Sequence, residues 1–182
     1  DFTTRSLVAN PGFELGAVDA GQIAGWGNWA GSYNIVAGEG YRDETFASIQ
    51  NTGGPYSAAI TSAAFAIAEG EQLGVSLRVR ALSASPTAEI HLTWYSDSGT
   101  ELDSSYVTAH ATDGVTTWQQ VTGIVVVPDN AAEAQLVVYE AAGNATMGVD
   151  EVIVREGDFT TRSLVANPGF ELGAVDAGQI AG

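Results

Sequence analysis

From Leu73 onward the chain alternates. Leu73, Val75, Leu77, Val79 and Ala81 are apolar, and Gln72, Gly74, Ser76, Arg78 and Arg80 separate them. A period of two sends successive side chains to opposite faces of an extended backbone, so this stretch predicts a long strand with one face in a core. Ile90, Leu92 and Trp94 repeat the pattern against His91, Thr93 and Tyr95. Polar or glycine-rich breaks cut the sequence at short intervals: NTGGP, AEGE, ASPT, SDSGT, TDGVT, PDNAA and AAGNA. SDSGT reads as a tight hairpin turn in which Gly99 is free to take a positive φ. Further strands are expected at 6–10, 33–37, 45–50, 57–62, 64–68, 104–110, 117–127, 133–140 and 146–155. PDNAAEAQL has capping residues in Asp129 and Asn130, but AQLVVY alternates, so it is expected to turn into a strand. No segment carries a helical period of useful length. The expectation is an all-β chain, a sandwich or jelly roll.

The charge excludes several partners. Six arginines and no lysine face 22 acidic residues, a formal charge of −16. Such a chain repels phosphate backbones and anionic lipid, so nucleic acid is not an expected partner. No apolar run approaches the ~20 residues of a membrane span, so no membrane insertion is expected. The acids form a solvated coat, or in part hold calcium. With no cysteine, neither a disulfide framework nor a thiolate metal site can form. Catalytic signatures are missing too: there is no Gly-x-Ser-x-Gly elbow, His-Glu-x-x-His pair or phosphate loop. Among so many acids, some pair always falls at glycosidase spacing, so abundance argues nothing. His91 and His110 lack a third metal ligand. Asp97, Glu101 and Asp103 surround Gly99 but miss the EF-hand spacing, and read as an acidic hairpin tip. Asn144-Ala145-Thr146 is a glycosylation sequon. The chain is not expected to be an enzyme.

Residues 1–25 recur without change at 158–182, an offset of 157 residues. Repetition of a whole unit is the usual source of such identity, so 1–157 reads as one unit and 158–182 as the start of the next. Leu164, Val165, Phe170 and Leu172 repeat Leu7, Val8, Phe13 and Leu15, which are expected to be buried in a complete unit. Left exposed, each large side chain would forfeit about 1.5–3 kcal/mol. One reading therefore has this segment donated to a neighbouring copy of the chain, head to tail. The other has it resting on its own surface.

LVANPGFELG followed by Gly25-Trp26 resembles the opening of the jelly-roll carbohydrate-binding modules of the galactose-binding-like type. AEGEQLGVSLRVRA, IHLTWYSDSGTEL, TTWQQVTGIVVVPDNAAEAQLVVYE and MGVDEVIV follow in that family's order, so the resemblance spans residues 6–156. It implies a two-sheet antiparallel jelly-roll β-sandwich. It also implies a structural Ca²⁺ held by Glu14 and Asp150, with Asp43 of the AGEGYRDE loop as a further ligand. Family members bind glycans on a concave sheet face or at loop tips. By strand phase Arg78, Arg80, His91 and Tyr95 point away from the core, and Tyr106 and His110 share one face, which makes Arg78, Arg80, His91, Tyr95 and Tyr106 a candidate glycan platform. Trp29 and Tyr33 are loop candidates for a second contact; Trp26, Trp94 and Trp118 are expected in the core. Two functions follow. The first is a non-catalytic, calcium-braced repeat module of an extracellular or cell-surface adhesin or fibre, partnered by copies of itself. The alternative is a module that recognises a polysaccharide.

Overall fold

A computed structural model describes residues 6–16, 22–42 and 45–157, together with the backbone of two short strands, Ala174–Asp176 and Gln179–Ile180. Eleven strands build the body: β1 (Trp26–Ala30), β2 (Ser32–Ala37), β3 (Thr45–Gln50), β4 (Ala58–Ser62), β5 (Phe65–Ala66), β6 (Gln72–Ser83), β7 (Thr87–Tyr95), β8 (Glu101–Ala111), β9 (Gln119–Val126), β10 (Glu133–Glu140) and β11 (Thr146–Glu156). One antiparallel sheet runs β1-β4-β10-β7-β8, with β5 beside β10; the other runs β2-β3-β11-β6-β9. This is the expected two-sheet antiparallel sandwich. The strands at 174–176 and 179–180, β12 and β13, pair with each other. Asp43, and Leu164, Val165, Phe170 and Leu172 of the repeated segment, lie outside the described residues.

The core is what the alternation predicts. Leu73, Val75, Leu77 and Val79 of β6 face Ala88, Ile90, Leu92 and Trp94 of β7 across the sandwich, all eight fully buried. The Trp94 indole N–H donates to Ser105 Oγ at 2.8 Å, so burial leaves it no orphan donor. Glycine sets the crossing between the sheets. Gly31 alone joins β1 to β2, at φ 72°, and a Cβ there would stand 2.4 Å from that of Ala58. Only glycine fits both the left-handed backbone and that approach.

Residues 6–10 do not form a ladder strand as expected. They run irregularly beside β11: Leu7 N donates to Val154 O at 2.7 Å, and Val152 N to Pro11 O at 2.7 Å. Pro11 has no N–H to continue a ladder, and Asn10 and Phe13 take positive φ, 48° and 62°. The segment still buries Val8 and Phe13, with the Phe13 ring 5.1 Å from Trp26. Leu15 departs from expectation, being 73% exposed. Residues 6–11 of the first copy of the repeat thus run beside β11 of this chain.

Candidate functional site

The outward face of the first sheet carries a chain of rings. In β10, Leu136 and Val138 enter the core, so Val137 and Tyr139 point out; in β7, Ile90 and Leu92 point in, so Glu89 and His91 point out. Register then decides who meets whom. Tyr139 stands opposite Glu89 and Ala59, and His91 opposite Val137 and Tyr106. Two irregularities place the outermost rings. The β1–β4 ladder slips between Asn28 and Ala30, leaving Trp29 as the extra residue, thrown outward and 60% exposed. The β7–β8 ladder slips between Ile90 and His91, which brings Tyr106 into the outward row but leaves His110 in the row of the inward Ala88. His110 instead bonds Gln119 Oε1 at 2.7 Å, so it does not share a face with Tyr106.

These rings meet edge to face. Tyr139 lies 5.2 Å from Trp29, 5.8 Å from Tyr56 and 5.3 Å from His91, at interplanar angles of 88°, 78° and 76°. His91 in turn meets Tyr106 at 5.7 Å and 86°. Edge-to-face contact suits the aromatic quadrupole and fixes the rings relative to one another. Short side chains lie among them on the same face: Ala59 opposite Tyr139, and Thr61 and Gly27 in the row of Val137. Ala59 and Val137 are buried although they point away from the core, so the rings shelter a floor.

Glu89 sits within this array. Its Oε2 accepts the Tyr56 hydroxyl at 2.9 Å, and its Oε1 lies 2.7 Å from His91 Nε2. The bond to Glu89, and its negative charge, raise the Tyr56 pKa above the usual phenol value. Burial, and then the same charge, raise Tyr139. Tyr95 is raised by burial and then by Glu101, and donates to Gln135 Oε1 at 2.9 Å. These phenols therefore stay protonated donors far above neutrality.

Arg78 and Arg80 are elsewhere. They lie on β6, in the second sheet, and so cannot share a platform with His91, Tyr95 and Tyr106 on the first. Strand phase says only that a side chain points away from the core; it does not say from which sheet. The arginines bind a loop to the outside of their own sheet. Arg80 lies 4.7 Å from both the Phe46 and Trp118 rings and pairs with Glu39 at 2.8 Å. Arg78 lies 4.2 Å over Tyr41 and 3.5 Å from Glu151, which Arg42 also reaches at 3.1 Å. Trp118 is only half buried, with its indole N–H donating to Glu39 O at 3.3 Å, and so is a clamp on that loop rather than a core residue. Tyr33 is the reverse: expected at a loop tip, it lies on β2 and packs in the core at 9% exposure.

Glu14 and Asp150 approach the same loop from its two ends. Glu14 Oε1 accepts Thr45 N at 2.8 Å and its hydroxyl at 2.6 Å, while buried Asp150 accepts Tyr41 N at 2.6 Å and Glu151 N at 2.7 Å. Among the described residues, no three acidic or histidine side chains form a metal-holding group.

Residues 5–145 match the family model described as "Carbohydrate binding domain", more than half of the chain. The chain belongs to that family. Solved structures share its fold. The C-terminal family 22 carbohydrate-binding module of a Clostridium thermocellum xylanase superposes with a TM-score of 0.61 at 17% identity, covering 85% of this chain and 98% of that one. A xylan-binding domain from Paenibacillus barcinonensis gives 0.59 at 16%, covering 80% and 90%. The two-module C. thermocellum endo-xylanase chain solved with xylohexaose gives 0.63 at 13%, and the match covers 87% of this chain but only 29% of that one. No curated protein matches the sequence.

His91, Tyr95 and Tyr106, which strand phase points away from the core, lie on the first sheet, but Tyr95 is not among the rings in contact; Trp29, expected in a loop, lies on β1 against Tyr139. Tyr139 and Glu89 were missed although the same alternation points to them: Tyr139 follows Val138 outward, and Glu89 shares the phase of His91. Nothing in the sequence pattern marks Tyr56, which reaches the face from a loop.

Proposed function

We propose that this chain is a non-catalytic module that holds a polysaccharide against the outer face of the first sheet, between Trp29, Tyr56, Tyr139, His91 and Tyr106. One observation carries this: aromatic rings in edge-to-face contact border a sheltered floor of small side chains, with Trp29, Tyr56 and Tyr106 each about half exposed or more. Sugar rings present C–H faces that stack on such groups, and the phenols and Glu89 supply donors and acceptors for hydroxyls. The family supports the reading, and two solved neighbours are described as xylan-binding or are held with a xylan oligomer.

Xylan and neutral β-glucans are the glycans to try first, and Trp29 is a built-in reporter. Trp26 and Trp94 are buried and Trp118 is clamped under Arg80 on the other sheet, whereas Trp29 is exposed. Saturating glycan shifts the tryptophan emission, and Trp29→Phe abolishes the shift. A shift that survives Trp29→Phe places the ligand elsewhere.

Within this reading, Glu14 and Asp150 hold a structural Ca²⁺ that braces the 41–45 loop, with Asp43 a further candidate ligand. The module works outside the cell, and the repeat begun at residue 158 gives a tandem or strand-exchanging arrangement with copies of itself.

A further inference from the structure

Among the described residues, arginine is confined to one side of the sandwich. All four described arginines, Arg42, Arg78, Arg80 and Arg155, stand on or beside the second sheet: two on β6, one on β11, and one in the loop clamped over them. On the first sheet the aromatic face has Glu89 among its rings and Glu133 and Glu101 flanking Tyr95. Among the described residues its only basic group is His91, already bonded to Glu89.

We propose that Glu89 sets the charge selectivity of this face, so that it favours glycans carrying free amino groups over neutral ones, and neutral ones over glycans carrying uronates. The inference rests on the polysaccharide-binding reading above and adds to it the chemical class of the ligand. A carboxylate offers about four acceptor positions. Here one donor from Tyr56 and the contact to His91 leave capacity on both oxygens, and the side chain is 16% exposed, open to a ligand at the floor of the array. Its negative field reaches the ring walls: it adds to the hydrogen bond in raising Tyr56, and to burial in raising Tyr139. An ammonium group placed among Tyr56, Tyr139, Tyr106 and Trp29 meets ring faces and a carboxylate together, two interactions of the same sign. A uronate in that position meets a like charge, with no arginine to offset it.

Calorimetric titration with three hexamers of one β-1,4-linked glucose backbone tests this: the neutral form, its 2-amino counterpart and its 6-carboxylate counterpart, at physiological salt and at a pH where the amine is protonated. The wild-type protein should bind the amino hexamer about tenfold more tightly than the neutral one, and the carboxylate hexamer about tenfold more weakly. Glu89→Gln keeps the shape and the capacity to bond Tyr56. In that variant the three affinities should close to within about threefold, whatever happens to the neutral affinity itself. A spread equally wide in Glu89→Gln would assign the preference to the net charge of the chain and overturn the proposal. So would a wild-type protein for which the amino hexamer gains nothing over the neutral one; neutral binding would then still stand, and with it the broader reading. Failure of every neutral polysaccharide as well as all three hexamers would sink both.

Discussion

Glu140 ends β10 with a carboxylate that is fully buried, and substituting it tests how the binding face is held. Its Oε1 accepts Thr87 N and Ala142 N, each at 3.1 Å, and its Oε2 accepts Gly143 N at 2.9 Å. Three backbone donors at the start of β7 and in the next turn thus have this one acceptor. The turn supports the face from below. Gly143 packs so closely on residues 53–55 that a Cβ would lie 2.9 Å from Gly54 C, and the loop it supports carries Tyr56. Asn51 ties the same loop to the Glu140 carbonyl at 3.0 Å. Glu140→Gln can offer one oxygen to Thr87 and Ala142, but turns an amide N–H₂ toward the Gly143 N–H. Loss of one charge-assisted bond and an orphaned buried donor should cost about 2–3 kcal/mol. For a domain of this size that lowers Tm by roughly 5–10 °C. Glu140→Ala orphans all three donors and should cost on the order of 4–6 kcal/mol. Differential scanning calorimetry reads both. A Glu140→Gln protein melting within about 1 °C of wild type would refute the reasoning, since no buried carboxylate holding three donors is so easily replaced.

Gly31→Ala combines a left-handed backbone with a 2.4 Å contact to Ala58, and should destabilise by about 3 kcal/mol or more, read as lost soluble yield or a lower urea midpoint. Arg80→Ala removes the stack on Phe46 and Trp118 and the pair to Glu39; limited proteolysis should then cut within 38–45 several-fold faster while glycan binding stays unchanged. Glu89→Gln leaves Tyr56 a weaker, uncharged acceptor and removes the negative charge that helps hold its proton. A raised phenol pKa means that the protonated form is favoured in the folded state up to and beyond the usual value near 10. Alkaline absorbance titration should therefore show part of the phenol signal moving to lower pH in the variant, and an unchanged curve would deny the contact. If Glu14 and Asp150 hold Ca²⁺, a chelator should lower Tm and added Ca²⁺ should restore it; a midpoint indifferent to both removes the metal.

The alternation from Leu73 to Ala81 and from Ile90 to Trp94 carried the fold, because burial of one strand face is a local, repeating constraint. Sheet membership was not legible in the same way. Arg80 and His91 are eleven positions apart with the same outward phase, yet their strands β6 and β7 belong to opposite sheets, and pairing partners are set by contacts distant in sequence. Bulges hid the rest. Trp29 and Tyr106 take their places through one-residue slips, which leave no mark in hydrophobic pattern. Trp118 and Tyr33 exchanged the roles expected of them for a related reason: whether a ring packs inside or clamps a loop outside depends on what crosses over it. The Glu14 and Asp150 positions come from motif resemblance, and the structure brings them to the two ends of the 41–45 loop through Thr45 and Tyr41.

The central claim is that the rings around Tyr139, and not the arginines of the opposite sheet, hold a polysaccharide. Titration of wild type, Tyr139→Ala and Arg80→Ala with a panel of neutral xylans and β-glucans tests it most directly. At least one glycan should bind the wild type, lose roughly tenfold or more in affinity with Tyr139→Ala, and bind Arg80→Ala as it binds the wild type. Binding that survives Tyr139→Ala and falls with Arg80→Ala would contradict the account and move the site to the other sheet.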